Sequence, residues 1–107
     1  MIVSTTEHVA GHTVDKALGQ VFGVTVRSRG LGGNLTAAFR SLGGGEIKEY
    51  TEMLEDARKA AIDRMVQNAQ AMGANAVVMM RFDSSELGQT MSEIVAYGTA
   101  VVVRENP

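Results

Sequence analysis

Three sets of residues in this chain have the types and spacing to do chemistry. The first is the stretch SLGGGEIKEY, where Gly43, Gly44 and Gly45 stand directly before a run of charged, helix-favouring residues. Glycines at a helix start can bring backbone N–H groups around a phosphate. A P-loop needs Gly-x-x-x-x-Gly-Lys-Ser/Thr, with the lysine on the phosphates and the hydroxyl on magnesium. Here Glu46 and Ile47 follow Gly45, and Glu49 and Glu52 come within two turns. Acids there repel an anion and suit the positive end of the helix dipole themselves. The earlier stretch GLGGNL lacks the third glycine of the dinucleotide fingerprint. The three glycines are therefore expected to let the chain turn into a helix, and no nucleotide is expected.

The second set is His8 and His12, the only histidines, with Glu7 and Asp15 beside them. Two imidazoles four apart on a helix can share a metal. Gly11 lies between them, however, in a poorly helical stretch, and there is no cysteine to supply a thiolate. Without thiolates a soft metal has a poor site. No cofactor is predicted, and a divalent metal held by histidines and carboxylates is the alternative. The third set is cationic. Between Lys16 and Gly45 the charges are Lys16, Arg27, Arg29 and Arg40, with no acid. From Glu46 to Pro107 ten acids face six bases. Arg27 and Arg29 are thus candidates for an anion site or for a charge-complementary contact between copies. No motif sets a serine beside a histidine and an acid. Asp83 and Glu86 read as a solvated loop, and the seven methionines as adaptable core filler.

The bulk properties bound the rest. A chain of 107 residues fits a single domain, 1–107. Apolar residues make up 45% and charged residues 21%, an ordinary globular composition. A formal net charge of −2 argues against nucleic acid as a partner. No apolar run is long enough to span a bilayer, so no membrane is expected. The start MIVSTTEHVAG has neither a basic region nor a long apolar one, and the expected compartment is the cytoplasm.

These residues must be positioned by a few elements. MIVSTT opens with a short β-prone run. ALGQVFGVTVRSRG reads as a strand, bent or bulged at one of its glycines. Leu35, Ala38, Phe39 and Leu42 suggest a short helix closed off by glycines. The clearest signal is EIKEYTEMLEDARKAAIDRMVQNAQAMG. Its residues Ile47, Tyr50, Leu54, Ala57, Ala61, Met65, Ala69 and Met72 keep a three-and-four spacing, and Gly73 stands where a C-cap belongs. Two strands follow, Asn75 to Phe82 and Glu93 to Glu105, separated by an expected polar loop DSSELGQTMS.

The last strand implies more than a strand. Val95, Tyr97, Thr99, Val101 and Val103 point to one face, and Ala96, Gly98, Ala100 and Val102 to the other. A strand buried on one side only alternates with polar residues. One helix covers one face of a small sheet. The other is expected to be closed by a barrel or covered by a second copy, which makes the chain an obligate homo-oligomer built through its sheet.

The stretches GGEIKEY from Gly44 to Tyr50, ARKAAIDRM from Ala57 to Met65, GANAVV from Gly73 to Val78 and AYGTAV from Ala96 to Val101 resemble the YbjQ-like family. These are small bacterial and archaeal proteins that often carry a heavy-metal-binding label. The resemblance covers nearly the whole chain, including STTEHVAGHTV. It implies a dodecin-like βαββ subunit assembled as a ring-shaped homopentamer, and it carries over no catalytic residue. The expectation is an α+β subunit, a small sheet with one long helix packed on it, oligomerising through the sheet into a ring. The expected function is that of a non-enzymatic oligomeric binding or scaffold protein. The alternatives are a metal-binding protein and a small-ligand carrier or enzyme with its site between subunits.

Overall fold

A computed structural model describes residues 1–28, 48–87 and 91–107. The elements are β1 (Ile2–Val3), β2 (His12–Ser28), α1 (Lys48–Ala71), β3 (Ala76–Leu87) and β4 (Met91–Glu105). The sheet order is β1-β3-β4-β2, with β1 parallel to β3 and the other pairs antiparallel. The protein is thus α+β, with one helix among the described residues laid on a mixed four-stranded sheet. The short N-terminal strand adds to the expected βαββ order. Gly43, Gly44 and Gly45, Arg29 and the expected short helix near Leu35–Leu42 lie outside the described residues.

The helix packs chiefly on β2 and β4. Ala57, Ala61, Met65 and Ala69 are its buried stripe, one residue per turn. Three of these four are alanine, so the helix axis sits close to the sheet. The closest approach is at Gly23 of β2. A Cβ at that position would lie 2.3 Å from the Ala61 carbonyl oxygen and 2.3 Å from the Met65 nitrogen. Only glycine admits a helix backbone at that range. Its cross-strand neighbour is Ala96, fully buried, so the sheet is shaved flat beneath the helix.

The close approach also lets the helix treat the edge of β2. Arg64 donates from Nη1 to the Val24 carbonyl at 2.6 Å, and Asn68 from Nδ2 to the Phe22 carbonyl at 2.8 Å. These carbonyls point away from β4 and would otherwise invite another strand. The helix ends in a Schellman motif: Gly73 has φ +92, the Ala74 amide donates to the Ala69 carbonyl and the Gly73 amide to Gln70. Met72 lies past the last turn and is exposed, so the apolar stripe stops one residue sooner than its spacing suggests.

Asn75 then starts the return. Its side chain accepts from the Val103 amide and donates to the Val103 carbonyl, each at 2.8 Å, as a strand residue's backbone would. Between Val78 and Arg81 the register of β3 on β4 shifts by one residue. Met79, with φ +56, takes the left-handed conformation of a bulge. Gly98 lies opposite, and a Cβ there would press on Val77, the Val78 carbonyl and Met80. The amides freed by the bulge are taken up by the N-terminal segment: Met79 donates to the Thr6 carbonyl and Met80 to the Ser4 carbonyl. Arg81 donates to the Thr5 carbonyl at 2.7 Å.

One expectation is corrected and another is located. DSSELGQTMS is not a loop throughout: β3 runs on to Leu87 and β4 begins at Met91. Its polar residues pair across a long two-stranded extension, Ser84 with Ile94 and Ser85 with Glu93. Polarity here marks solvent on a ribbon, not the absence of a strand. The bulge expected at a glycine of β2 is at Gly19. The register shifts fall between Val14 and Lys16 and between Ala17 and Gly19, with Gly19 at φ +120, while Gly23 belongs to the regular ladder.

Replacing Gly23 with alanine forces a Cβ into the helix backbone. We expect Gly23→Ala to destabilise the fold by about 3 kcal/mol or more, the upper end of overpacking costs. Thermal melting should show a fall of at least about 10 °C, and an unchanged melting point would refute the contact.

Candidate functional site

The second face of the sheet is divided. At one end Ala76, Val78, Val101 and Val103 form a buried cluster, covered by Ile2 and Val9 from the N-terminal segment. Here the chain covers its own second face, which reading β4 alone does not reveal. At the other end the same face is open. The register places Phe22, Tyr97 and Arg81 in one row, then Val24, Val95 and Asp83, then Val26, Glu93 and Ser85, and then Met91 and Leu87. Phe22 is 52% exposed, Val26 48% and Tyr97 38%, and Leu87 and Met91 are exposed as well. Single exposed apolar side chains are ordinary, but a contiguous group on one face marks an interaction surface. Of the five strand residues that the sequence singles out, Val101 and Val103 lie in the self-covered cluster. Val95, Tyr97 and Thr99 lie towards the open end.

The histidines sit elsewhere. His8 lies in the exposed turn between β1 and β2, and His12 opens β2. Gly11, at φ +74, breaks any helix between them. The His12 ring is tied by Nδ1–H to the Ala10 carbonyl at 2.9 Å, which leaves Nε2 for other partners. Asp15 is held by Arg104, whose Nε donates to Oδ1 at 2.8 Å. Among the described residues, no three of histidine, cysteine, aspartate and glutamate come together as a metal group. A tetrahedral site on one subunit is therefore short of ligands.

No acid–base constellation forms between these regions. His12 pairs with Glu105 at one end of the β2–β4 ladder, and Arg27 pairs with Ser92 near the other. At about 3.3 Å per strand residue, the histidine and the hairpin serines Ser84, Ser85 and Ser92 are roughly 40 Å apart. Ser85 instead donates to Glu93 at 3.2 Å. Arg27 is exposed, and its register puts it on the helix side of the sheet. The first described turn of α1 carries Glu49, the charge that suits a helix start and disfavours a bound anion there.

With this geometry in place, comparison with known proteins is informative. The sequence model of the YbjQ family, described as "Putative heavy-metal-binding", matches residues 1–104. The chain belongs to that family. A UPF0145 protein of Bradyrhizobium sp. (strain ORS 278) is 68% identical over 103 residues, covering 96% of this chain and 93% of the relative. A UPF0145 protein of Thermoplasma acidophilum is 58% identical over 105 residues, covering 98% and 88%. Among solved structures, a protein of unknown function from Pediococcus pentosaceus, of the DUF74 family, superposes with a TM-score of 0.68 at 13% identity. That match covers 97% of this chain and 98% of the other. This likeness concerns the fold alone. The metal in the YbjQ family's description does not fit the described residues of one subunit, which offer two scattered histidines and no thiolate.

We expect one subunit to bind Zn²⁺, Cu²⁺ or Cd²⁺ no more tightly than micromolar. Calorimetric titration of wild type and a His8→Ala/His12→Ala variant checks this. Submicromolar affinity that vanishes in the variant would show that the histidines do form a site.

Proposed function

We propose that this protein is a non-enzymatic, homo-oligomeric binding or scaffold protein whose copies join through the open end of the second sheet face. The carrying observation is the contiguous exposed group of Phe22, Val26, Tyr97, Leu87 and Met91, with Val24 and Val95 half-buried between them. A second copy is the occupant that the surrounding charges favour. Arg81 borders one end of the patch, and Asp83 and Glu93 follow in the next rows. Two patches facing each other in opposed directions bring the cation of each against the acids of the other. The edge of β2 contributes less, since its Phe22 and Val24 carbonyls are already taken by Asn68 and Arg64.

The finer reading is a dodecin-like subunit closed into a ring, a homopentamer as the family resemblance implies. The lack of a nucleophile–base set among the described residues supports a binding or scaffolding role over catalysis. Association and any metal are separate matters, because His8 and His12 lie at the far end of the ladder from the patch.

Sedimentation velocity at micromolar concentration tests the reading. Wild type should sediment as a closed oligomer. Phe22→Asp/Tyr97→Asp should weaken association at least tenfold, because an unpaired carboxylate would be trapped in an apolar contact. Both side chains are exposed in the single subunit, so circular dichroism should show the fold retained. Wild type sedimenting as a single chain, or the variant keeping the oligomer, would sink the proposal.

A further inference from the structure

On the helix side of the sheet, a cleft of about 470 Å³ opens between the first half of α1 and the β3–β4 extension. That volume is in the range of small-molecule sites. Tyr50, Leu54 and Arg58 line it from the helix, and Ser84, Ser92 and Ile94 from the sheet. We propose that this cleft binds a small organic anion, with the anionic group on Arg58 and the apolar part on Leu54 and Ile94.

The charge argument rests on Arg58. Its guanidinium lies 5.1 Å from the centroid of the Phe82 ring, so the ring holds the cation in place. Among the described residues it has no carboxylate partner. A guanidinium carries five donors in a rigid fork suited to carboxylate or phosphate. The same cleft is lined by three residues with hydroxyls, Tyr50, Ser84 and Ser92, each able to donate a hydrogen bond. Arg27, paired with the lining residue Ser92 on the adjacent strand, is a second positive charge on the same face.

Two carboxylates also border the cleft, and neither removes the case. Glu93 alternates with Ile94 along β4, so its register position is on the opposite face, where it accepts from Ser85. Glu86 is on the helix side, across Ser92 from Arg27, and is itself engaged by another group. Towards the start of the helix, the packed alanines Ala57 and Ala61 give way to the larger but half-buried Tyr50 and Leu54. The cleft opens there. It lies on the opposite face of the sheet from the proposed subunit contact, so each idea stands without the other.

The test uses fluorescence anisotropy of 2-naphthoate, which joins a carboxylate to an apolar ring, on the full chain. The neutral alcohol 2-naphthylmethanol is the control, and inorganic phosphate is a competitor. We expect saturable naphthoate binding, at least tenfold weaker for the alcohol and at least tenfold weaker in Arg58→Gln. Arg58→Lys should lose less, because the charge stays while the fork is lost. The Phe22→Asp/Tyr97→Asp variant should bind naphthoate like wild type. Competition by phosphate would support an anion site that also admits phosphate, and its absence would support a carboxylate site. No saturable binding would overturn the proposal. So would equal binding of acid and alcohol, equal binding by wild type and Arg58→Gln, or loss of binding only in the Phe22→Asp/Tyr97→Asp variant. Should Arg58→Gln fail to fold, Arg58→Lys and the acid–alcohol comparison still decide.

Discussion

The contact between Gly23 and the backbone of α1 is the constraint on which the rest of this structure depends. A helix that rests on side chains stands off from a sheet by their length; here the Ala61 carbonyl and the Met65 amide reach the sheet where a Cβ would be. The consequences follow in order. The stripe facing the sheet has to be small, and it is mostly alanine. The partner position on β4 has to be small, and it is Ala96. With the axis this low, Arg64 and Asn68 reach over the side of β2 and take two of its outward carbonyls. A helix held higher would leave that edge bare and available to any passing strand. Thr25, two residues along the same face, shows the tightness from another side: its hydroxyl is buried with no hydrogen-bond partner, a cost accepted within the packing.

The second face depends on a different device. The bulge at Met79 turns β3 so that its freed amides meet the N-terminal segment. That segment lays Ile2 and Val9 over Val101 and Val103. The sheet therefore has one face packed against a helix, half of the other covered by its own leading residues, and the remaining half open, with an apolar group beside Arg81, Asp83 and Glu93. The two coverings use unlike chemistry, close backbone contact on one side and backbone hydrogen bonds with aliphatic packing on the other.

How much of this was legible in the sequence differs by element. The long helix announced itself through the spacing from Tyr50 to Ala69, and its end through Gly73, because both signals are local. The two-sided apolar character of Val95 to Val103 reads as burial on both faces, which the chain itself supplies at Val101 and Val103 but not at Tyr97, which is exposed. It could not say that Val101 and Val103 would be covered from within, since the covering residues are about a hundred positions away. The strand pairing of Asp83 to Leu87 was hidden because solvated ribbon residues resemble loop residues in type. Nothing in the sequence separated Gly23 from Gly19 as the place of the bulge; the role of Gly23 needs the helix above it, which no local pattern reports. Nothing in the helix spacing singles out Arg58. Only the ring of Phe82 beneath it, brought there by the sheet, sets it apart.

The sheet order has a bearing on how the chain comes to fold. β4 is the last of the four described strands to be synthesised, yet it lies between β2 and β3 and, among the described residues, is the strand that pairs with β2. The ladder from His12 opposite Glu105 to Ser28 opposite Met91 joins residues separated by most of the chain. Closing such distant contacts is entropically slow, whereas the adjacent β3–β4 pair can form early. During synthesis β2 emerges first and waits, its apolar residues without a strand beside them, until β4 has been made. The helix side chains that close its outer edge in the folded chain, Arg64 and Asn68, are synthesised before β4, so the means of guarding the side that β4 never covers exists before the strand that covers the other.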